Sequence, residues 1–267
     1  MKKEGTHFEA VADILNKRVS MRRFKEQPLR EEDVQWVIEG ARRAPTAGNM
    51  MLYSILLVTD PAKKLILSES CDHQPFIAKA PLVMVFVADY QRWFDYYEAS
   101  GVKDYCQKTG KRFKGPDEGD LFLACSDALI AAQNSVIAAE ARGIASCYIG
   151  DIMENYERHR ELLNLPPWAF PIAMLCLGYY PEGERPSPRS RFESKYIVFK
   201  EAYKKLSPDE LKAMFQEEEK SFSQNNPFKA ENLGQWMYAR KTGSDFAEEM
   251  ARSVRKALKN WQGESIL

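Results

Sequence analysis

At 267 residues the chain is long enough for one large domain or two small ones with a sizeable core. Its 38 Lys+Arg balance 38 Asp+Glu, so the basic excess of a nucleic-acid binder is absent. Apolar residues at 45% and charged residues at 28% are ordinary for a globular protein, and the start, Met1-Lys2-Lys3-Glu4, lacks the apolar core of a signal peptide. No apolar run reaches the length of a membrane span, and a cytoplasmic protein is the expectation.

Residues 8–16 read as a short helix with Phe8, Val11, Ala12 and Leu15 on one stripe. A second helix is expected after Pro28. Glu31, Glu32 and Asp33 suit its positive end, Val34, Val37, Ile38 and Ala41 recur at helical spacing, and Pro45 ends it. Thr46-Ala47-Gly48-Asn49 is loop chemistry. Residues 54–59 and 82–88 read as buried strands, with a helix over 61–70 and a turn at Gln74-Pro75 between them. From 90 to 119 the character shifts. Trp93, Phe94, Tyr96, Tyr97 and Tyr105 point to a helical cover, and the basic Gly/Pro stretch after them to a mobile connection.

The strongest helix runs from Asp120 to Arg142, rich in alanines that let neighbouring backbones approach, with Gly143 as its stop. Residues 145–149 and 170–177 read as two more interior strands around a helix at 156–163. An exposed turn follows at 181–188. Beyond 197–199 the chain is helical and charged, with a helix over 208–220 opened by Ser207 and Pro208 and a final amphipathic helix over 245–261. Buried strands look alike in parallel and antiparallel sheets, so pattern alone leaves both open.

The five cysteines are widely spaced with no C-x-x-C pair, and the three histidines have no metal-ligand spacing. Neither a disulfide framework nor a metal site is expected. No G-x-G-x-x-G or P-loop motif appears, and no nucleophile-base pair is visible. Two segments stand out instead, Arg18-Val19-Ser20-Met21-Arg22 and Arg189-Ser190-Arg191, with cations at alternate positions. In extended backbone these share a face while Val19 and Met21 point away. Guanidinium pairs with a hydroxyl suit a phosphate. A pocket without acid, base or metal fits an enzyme whose cofactor carries the reaction.

The stretch Arg18-Val19-Ser20-Met21-Arg22-Arg23-Phe24, then a helix, then Ala44-Pro45-Thr46-Ala47-Gly48-Asn49, resembles the opening of the FMN-dependent nitroreductase family. The family shows a basic R-x-S-x-R-x-F turn, one helix and an A-P-S/T-x-x-N loop. Gln74, the apolar run 81–89, the helix 120–142, Tyr148-Ile149-Gly150-Asp151 and Leu177-Gly178-Tyr179-Tyr180 follow in the family's order. The spacing is most like the oxygen-insensitive NAD(P)H nitroreductase and flavin reductase branch. The likeness covers residues 8–200 well and the remainder loosely.

The resemblance implies an α+β fold, with a central, mainly antiparallel sheet flanked by helices, in an intertwined homodimer with FMN at its interface. Residues 1–200 would bind FMN, and 201–267 would form a helical C-terminal extension packing on the dimer. Hydride would pass from NADPH or NADH to flavin N5 and then, by ping-pong, to nitroaromatics, quinones or similar small acceptors. By position, Arg18, Ser20 and Arg22 match the basic turn, with Arg22 near the N1/O2 ring edge, where a fixed charge favours the reduced ring. Arg189 and Arg191 match the C-terminal pair that binds phosphate with Arg18. Pro45, Thr46 and Asn49 match a loop contributed by the partner subunit. Gln74 matches an amide near the ribityl chain and ring, and Tyr148, Ile149, Gly150 and Asp151 a segment beside N5 and O4.

Two positions depart from relatives: Val19, often basic or polar there, and Asp151, in some a glycine. Read without the resemblance, Ser20 could cap a turn, Gln74 be a surface amide, Gly150 serve a tight turn and Asp151 cap a helix. Alternative functions are a flavin reductase or dehalogenase-like relative, or a flavin-binding sensor that does not turn over. Arg240 and Lys241 offer charge to a 2′-phosphate, and both nicotinamide donors stay open.

Overall fold

All eight residues from Leu82 to Asp89 are buried, as a strand paired on both edges and covered on both faces requires. The computed structural model describes residues 7–183 and 185–262, so the opening hexapeptide and Glu184 of the expected exposed turn lie outside the described residues. Four strands make one sheet: β1 (Tyr53–Val58), β2 (Leu82–Asp89), β3 (Ile144–Ile149) and β4 (Ala169–Tyr179). Their order is β1-β2-β4-β3 and every pairing is antiparallel. The fold is therefore α+β, with the antiparallel sheet that the resemblance implied.

The helices are α1 (His7–Lys17), α2 (Glu31–Arg42), α3 (Pro61–Ser70), α4 (Pro75–Lys79), α5 (Gln91–Ala99), α6 (Val102–Thr109), α7 (Glu118–Ala141), α8 (Tyr156–Leu162), α9 (Pro208–Met214), α10 (Gln216–Lys220), α11 (Leu233–Arg240) and α12 (Asp245–Trp261). One core layer packs Val37 and Ala41 of α2 and Ala128, Ala132 and Val136 of α7 onto Met84, Phe86, Leu175 and Leu177. A second packs Leu67 and Cys71 with Ile77 of α4 against Val83, Val85, Cys147 and Cys176 on the other strand positions. Each fully buried Val, Leu or Phe contributes about 1.5–3 kcal/mol. The alanines of α7 do bring helices close: a Cβ on Gly40 would lie 2.6 Å from that of Ala138.

α7 starts two residues earlier than expected, because Asp117 and Asp120 form a capping box. Gly143, at φ 67°, takes the left-handed conformation that stops it. By length and composition α7 can cross a membrane, which the sequence reading had not allowed for, yet half of that stretch is buried inside the protein. Gln74-Pro75 is more than a turn. Gln74 occupies the N-cap position of α4, with Pro75 in its first turn, where a missing N–H costs nothing. The helix expected over 208–220 breaks at Phe215 (φ −96°, ψ 6°), whose ring meets Phe192 edge-on at 5.1 Å. α11 was not anticipated, although Asn232 caps it by accepting the Gln235 N–H.

The chain divides into two compact units. One runs to Ser187 and resumes at Glu249, and the other is Pro188–Glu248. From Glu249 onward α12 thus belongs to the first unit, where Ala257 and Trp261 pack with Leu52, Leu121 and Phe170. The second unit holds α9, α10 and α11.

Candidate functional site

β3 is an edge strand, and the basic turn runs along its free side. Ser20 makes a single parallel bridge with Ser146, and the Met21 N–H donates to the Ser146 carbonyl at 2.9 Å. Val19 and Met21 are buried against Ala145, while Ser20 and Arg22 are exposed and Arg18 is half-buried. The alternation read from the residues is therefore the geometry observed, and Ser20 belongs to a bridge rather than a turn cap. Among the described residues no ion pair engages Arg18 or Arg22. The Arg22 guanidinium lies 6.0 Å from the centre of the Phe76 ring. Burial raises the pKa of the Cys147 thiol on β3, and Arg22 and Arg18 pull it back, so both cations bear on one strand.

Arg18 also has a neighbour that sequence did not reveal. Glu140, near the end of α7, accepts the Tyr180 hydroxyl at 2.7 Å and lies 3.7 Å from Arg185, which stacks over the Tyr180 ring at 3.5 Å. Burial raises this carboxyl, while Tyr180, Arg185 and Arg18 oppose the shift.

The turn after β3 meets the corner before α4. Gln74 Nε2 donates to the Asp151 carboxylate and to the Cys71 carbonyl, both at 2.9 Å. Both amide hydrogens are thus committed, which leaves Gln74 Oε1 as an acceptor. Asp151 opens a 3₁₀ turn (Asp151–Met153) and does not cap α8, whose N-cap residue is Asn155. Gly150 has φ −81°, so no left-handed turn demands a glycine there. A Cβ built on it meets nothing within 4 Å, so the backbone stands open to close approach from outside. Tyr148 is half-buried, with its hydroxyl 3.4 Å from Gln133 Oε1, and Ile149 is buried.

Pro45, Thr46 and Asn49 sit elsewhere, in a loop organised by Asp127 of α7. That buried carboxylate accepts the Thr46 hydroxyl and the N–H groups of Ala47 and Leu52, at 2.9 and 3.1 Å for the last two. Thr46 Oγ1 in turn accepts the Met51 N–H at 2.8 Å. Gly48, Asn49 and Met51 all have positive φ, a strained run that the Asp127 contacts stabilise. Among the described residues no hydrogen bond, ion pair or ring contact joins this loop to the basic turn. Asp127 had no sequence signal beyond being an acid in an apolar helical stripe.

Arg189 and Arg191 lie in the second unit, in an exposed segment without helix or strand. Arg191 donates to the carbonyls of Arg189 and Ser190 at 3.0 and 3.1 Å. Of the sequence-derived set, the first unit therefore places Arg18, Ser20, Arg22, Tyr148 and Ile149 along β3, with Gly150, Asp151 and Gln74 beyond its C-terminal end. Among the described residues no group of three or more His, Cys, Asp or Glu could hold a metal ion. The assembled residues offer exposed cations, an amide acceptor and open backbone. These groups are suited to binding an anionic ligand.

The chain is 30% identical over 250 residues to a Staphylococcus epidermidis protein named NADPH-dependent oxidoreductase, covering 91% of this chain and 96% of that one. Its fold matches nitroreductase A from Vibrio parahaemolyticus with a TM-score of 0.75 at 23% identity, over 93% of this chain and 97% of the other. It also matches the NADPH:FMN oxidoreductase from Vibrio harveyi with a TM-score of 0.74 at 22% identity, over 93% and 98%. The model of the nitroreductase family matches residues 15–179, a span that holds β1 to β4 and the whole assembly around β3, so the chain belongs to the nitroreductase family of oxidoreductases.

Proposed function

We propose that the protein binds FMN and passes reducing equivalents from NADPH to small acceptors such as nitroaromatics and quinones by ping-pong. The observation that carries this reading is that Arg22 and Asp151 both bear on Cys147 of β3, with Gln74 held by Asp151 and the Gly150 backbone open. Bound FMN would supply the two-electron chemistry at its N5. The chain's own residues do the rest. Arg18 and Ser20 provide donors for a phosphate, and Arg22 stabilises negative charge on a reduced ring. Gln74 Oε1 accepts a ring N–H, and Gly150 leaves the approach unobstructed. NADPH as donor rests on the names of the relatives.

A homodimer in the cytoplasm completes the proposal. α1 exposes Phe8, Val11 and Leu15 at 79%, 52% and 60%, and α7 exposes Phe122 at 72% with Leu123, Leu129 and Ile130. Such apolar faces call for a partner surface. A second copy would also account for a loop at Pro45–Asn49 that does not meet the basic turn of its own chain. The test is anaerobic. Yellow purified protein should bleach on addition of NADPH under nitrogen and recover its colour with a nitroaromatic or quinone. Flavin that NADPH and NADH both fail to bleach would leave only a binding protein.

A further inference from the structure

The turn after β3 holds a second carboxyl group. Glu154 is 6% exposed, and among the described residues its Oε1 has no hydrogen-bond partner. A charged carboxylate there would be unsatisfied, and the groups that face it share its sign. Asp151 comes from the same turn, Asp72 from the left-handed corner after α3, and Glu249 from α12. The nearby cations are committed elsewhere. Arg252 holds Glu249 and Glu157, and Arg158 reaches Glu69 at 3.6 Å. His159, fully buried under the turn, has Nδ1 2.9 Å from the Ile152 carbonyl and Nε2 2.7 Å from the Ser70 hydroxyl. Burial lowers its pKa and favours the neutral ring, and burial likewise keeps Cys71 a thiol.

We propose that Glu154 is a positioning residue held as the neutral acid, its proton shared with Asp151, and that losing this proton loosens flavin binding. The inference rests on the flavin reading above. Asp151 is the link, because it holds Gln74 at 2.9 Å and begins at the open Gly150. With one proton between them the two carboxyl groups attract. With none they repel at short range in a poorly solvated place, as paired carboxylates do. Burial first, then Asp151, Asp72 and Glu249, push the Glu154 carboxyl from its ordinary 4.5 up to about 8. Ionisation of Glu154 favours arrangements in which Asp151 or Glu154 turns toward water. If Asp151 turns, Gln74 loses its acceptor. If Glu154 turns, the Asp151–Glu154 turn opens, together with the Asn155 Nδ2 bond to the Ser70 carbonyl at 2.9 Å.

The experiment dilutes the full-length holoprotein between pH 6.5 and 9.5 and reads the fluorescence of released FMN. The parent should hold FMN less tightly at pH 9.5 than at pH 7, by up to about 30-fold, the limit that linkage to one proton near pH 8 sets. Glu154→Gln keeps a neutral donor beside Asp151 and should show a flat profile. Glu154→Ala should bind more weakly than Glu154→Gln at pH 7. Ionisation of FMN itself is common to all three and cancels. A parent with constant affinity, a Glu154→Gln variant that falls with pH as the parent does, or an alanine variant as tight as the glutamine one overturns the inference. A protein that retains no FMN at any pH overturns the flavin reading itself, and this inference with it.

Discussion

The carboxylate of Asp127, midway along α7, accepts the hydroxyl of Thr46, 81 residues earlier in the chain. Through that contact and the N–H groups of Ala47 and Leu52, a core helix dictates the path of a strained surface loop.

Asp127→Ala should therefore cost more than an ordinary surface change. It leaves three donors without their acceptor, and buried unsatisfied groups cost about 1–3 kcal/mol each, so a loss of about 3 kcal/mol or more is expected. Asp127→Asn keeps one acceptor oxygen and should lose less. Urea unfolding of both variants measures this, and a loss below about 1 kcal/mol in the alanine variant would contradict it.

Gly40→Ala sets helix propensity against packing. Alanine is favoured over glycine in a helix interior by roughly 0.5–1 kcal/mol. The new Cβ would meet Ala138 Cβ at 2.6 Å, and overpacking of this kind typically costs about 1–3 kcal/mol. The clash is with a short side chain on α7 that has no rotamer to escape into, so the net effect should be destabilising. A rise in Tm would show that α2 and α7 separate more easily than their packing implies.

Arg191 and Arg22 should fail differently. Arg191, whose place in the site rests on the family motif, should on replacement by Ala weaken FMN binding by about 1.5–3 kcal/mol and yield protein whose activity returns with added FMN. Arg22→Ala should retain more flavin but show a lower reduction potential and slower reduction by NADPH, because its charge stabilises a negative ring that exists only after reduction. Flavin titration and anaerobic potentiometry separate the two. An unchanged potential in Arg22→Ala would remove Arg22 from this role.

Glu249 should govern part of the acid limb of stability. The Arg252 guanidinium, against the pull of burial and helped by Ser253 and the Asn155 N–H, holds its carboxyl down at about 2 from an ordinary 4.5. A depressed pKa means that the folded state binds fewer protons than the unfolded one. Its contribution is thus full above pH 4.5 and lost as pH falls toward 2. Glu249→Gln should be less stable than the parent at pH 6, with the gap closing steadily toward pH 3. Chemical unfolding at a series of pH values reads the difference directly.

Charge on α1 should split the proposed dimer. Phe8→Glu with Leu15→Glu changes two residues that are exposed in the single chain and hold no place in its core. Sedimentation should turn from dimer to monomer with loss of bound FMN, since obligate dimers bury more than about 2,000 Å² and cannot seat two carboxylates there. A double variant that stays dimeric would place the interface elsewhere.

Local pattern sufficed wherever a feature depends on neighbours in the chain. Apolar runs marked all four strands, helical spacing marked α2 and α7, and alternation placed Val19 and Met21 inward with Ser20 and Arg22 outward. The order of short motifs was enough to name the family. Short or weakly amphipathic pieces escaped, α4 for its five residues and α11 for its lack of a buried stripe. Residue pattern left the strand direction open, because fully buried strands carry no mark of their partners' direction; the family resemblance implied an antiparallel sheet, and only the tertiary structure gave the strand order. The same holds for the polar contacts that shape the site. Gln74 meets Asp151 across 77 residues, Thr46 meets Asp127 across 81, and Glu154 is caught among acids from three separate segments. A carboxylate's sequence neighbours say nothing of its burial or of what faces it, and those two properties set whether it binds, positions or titrates.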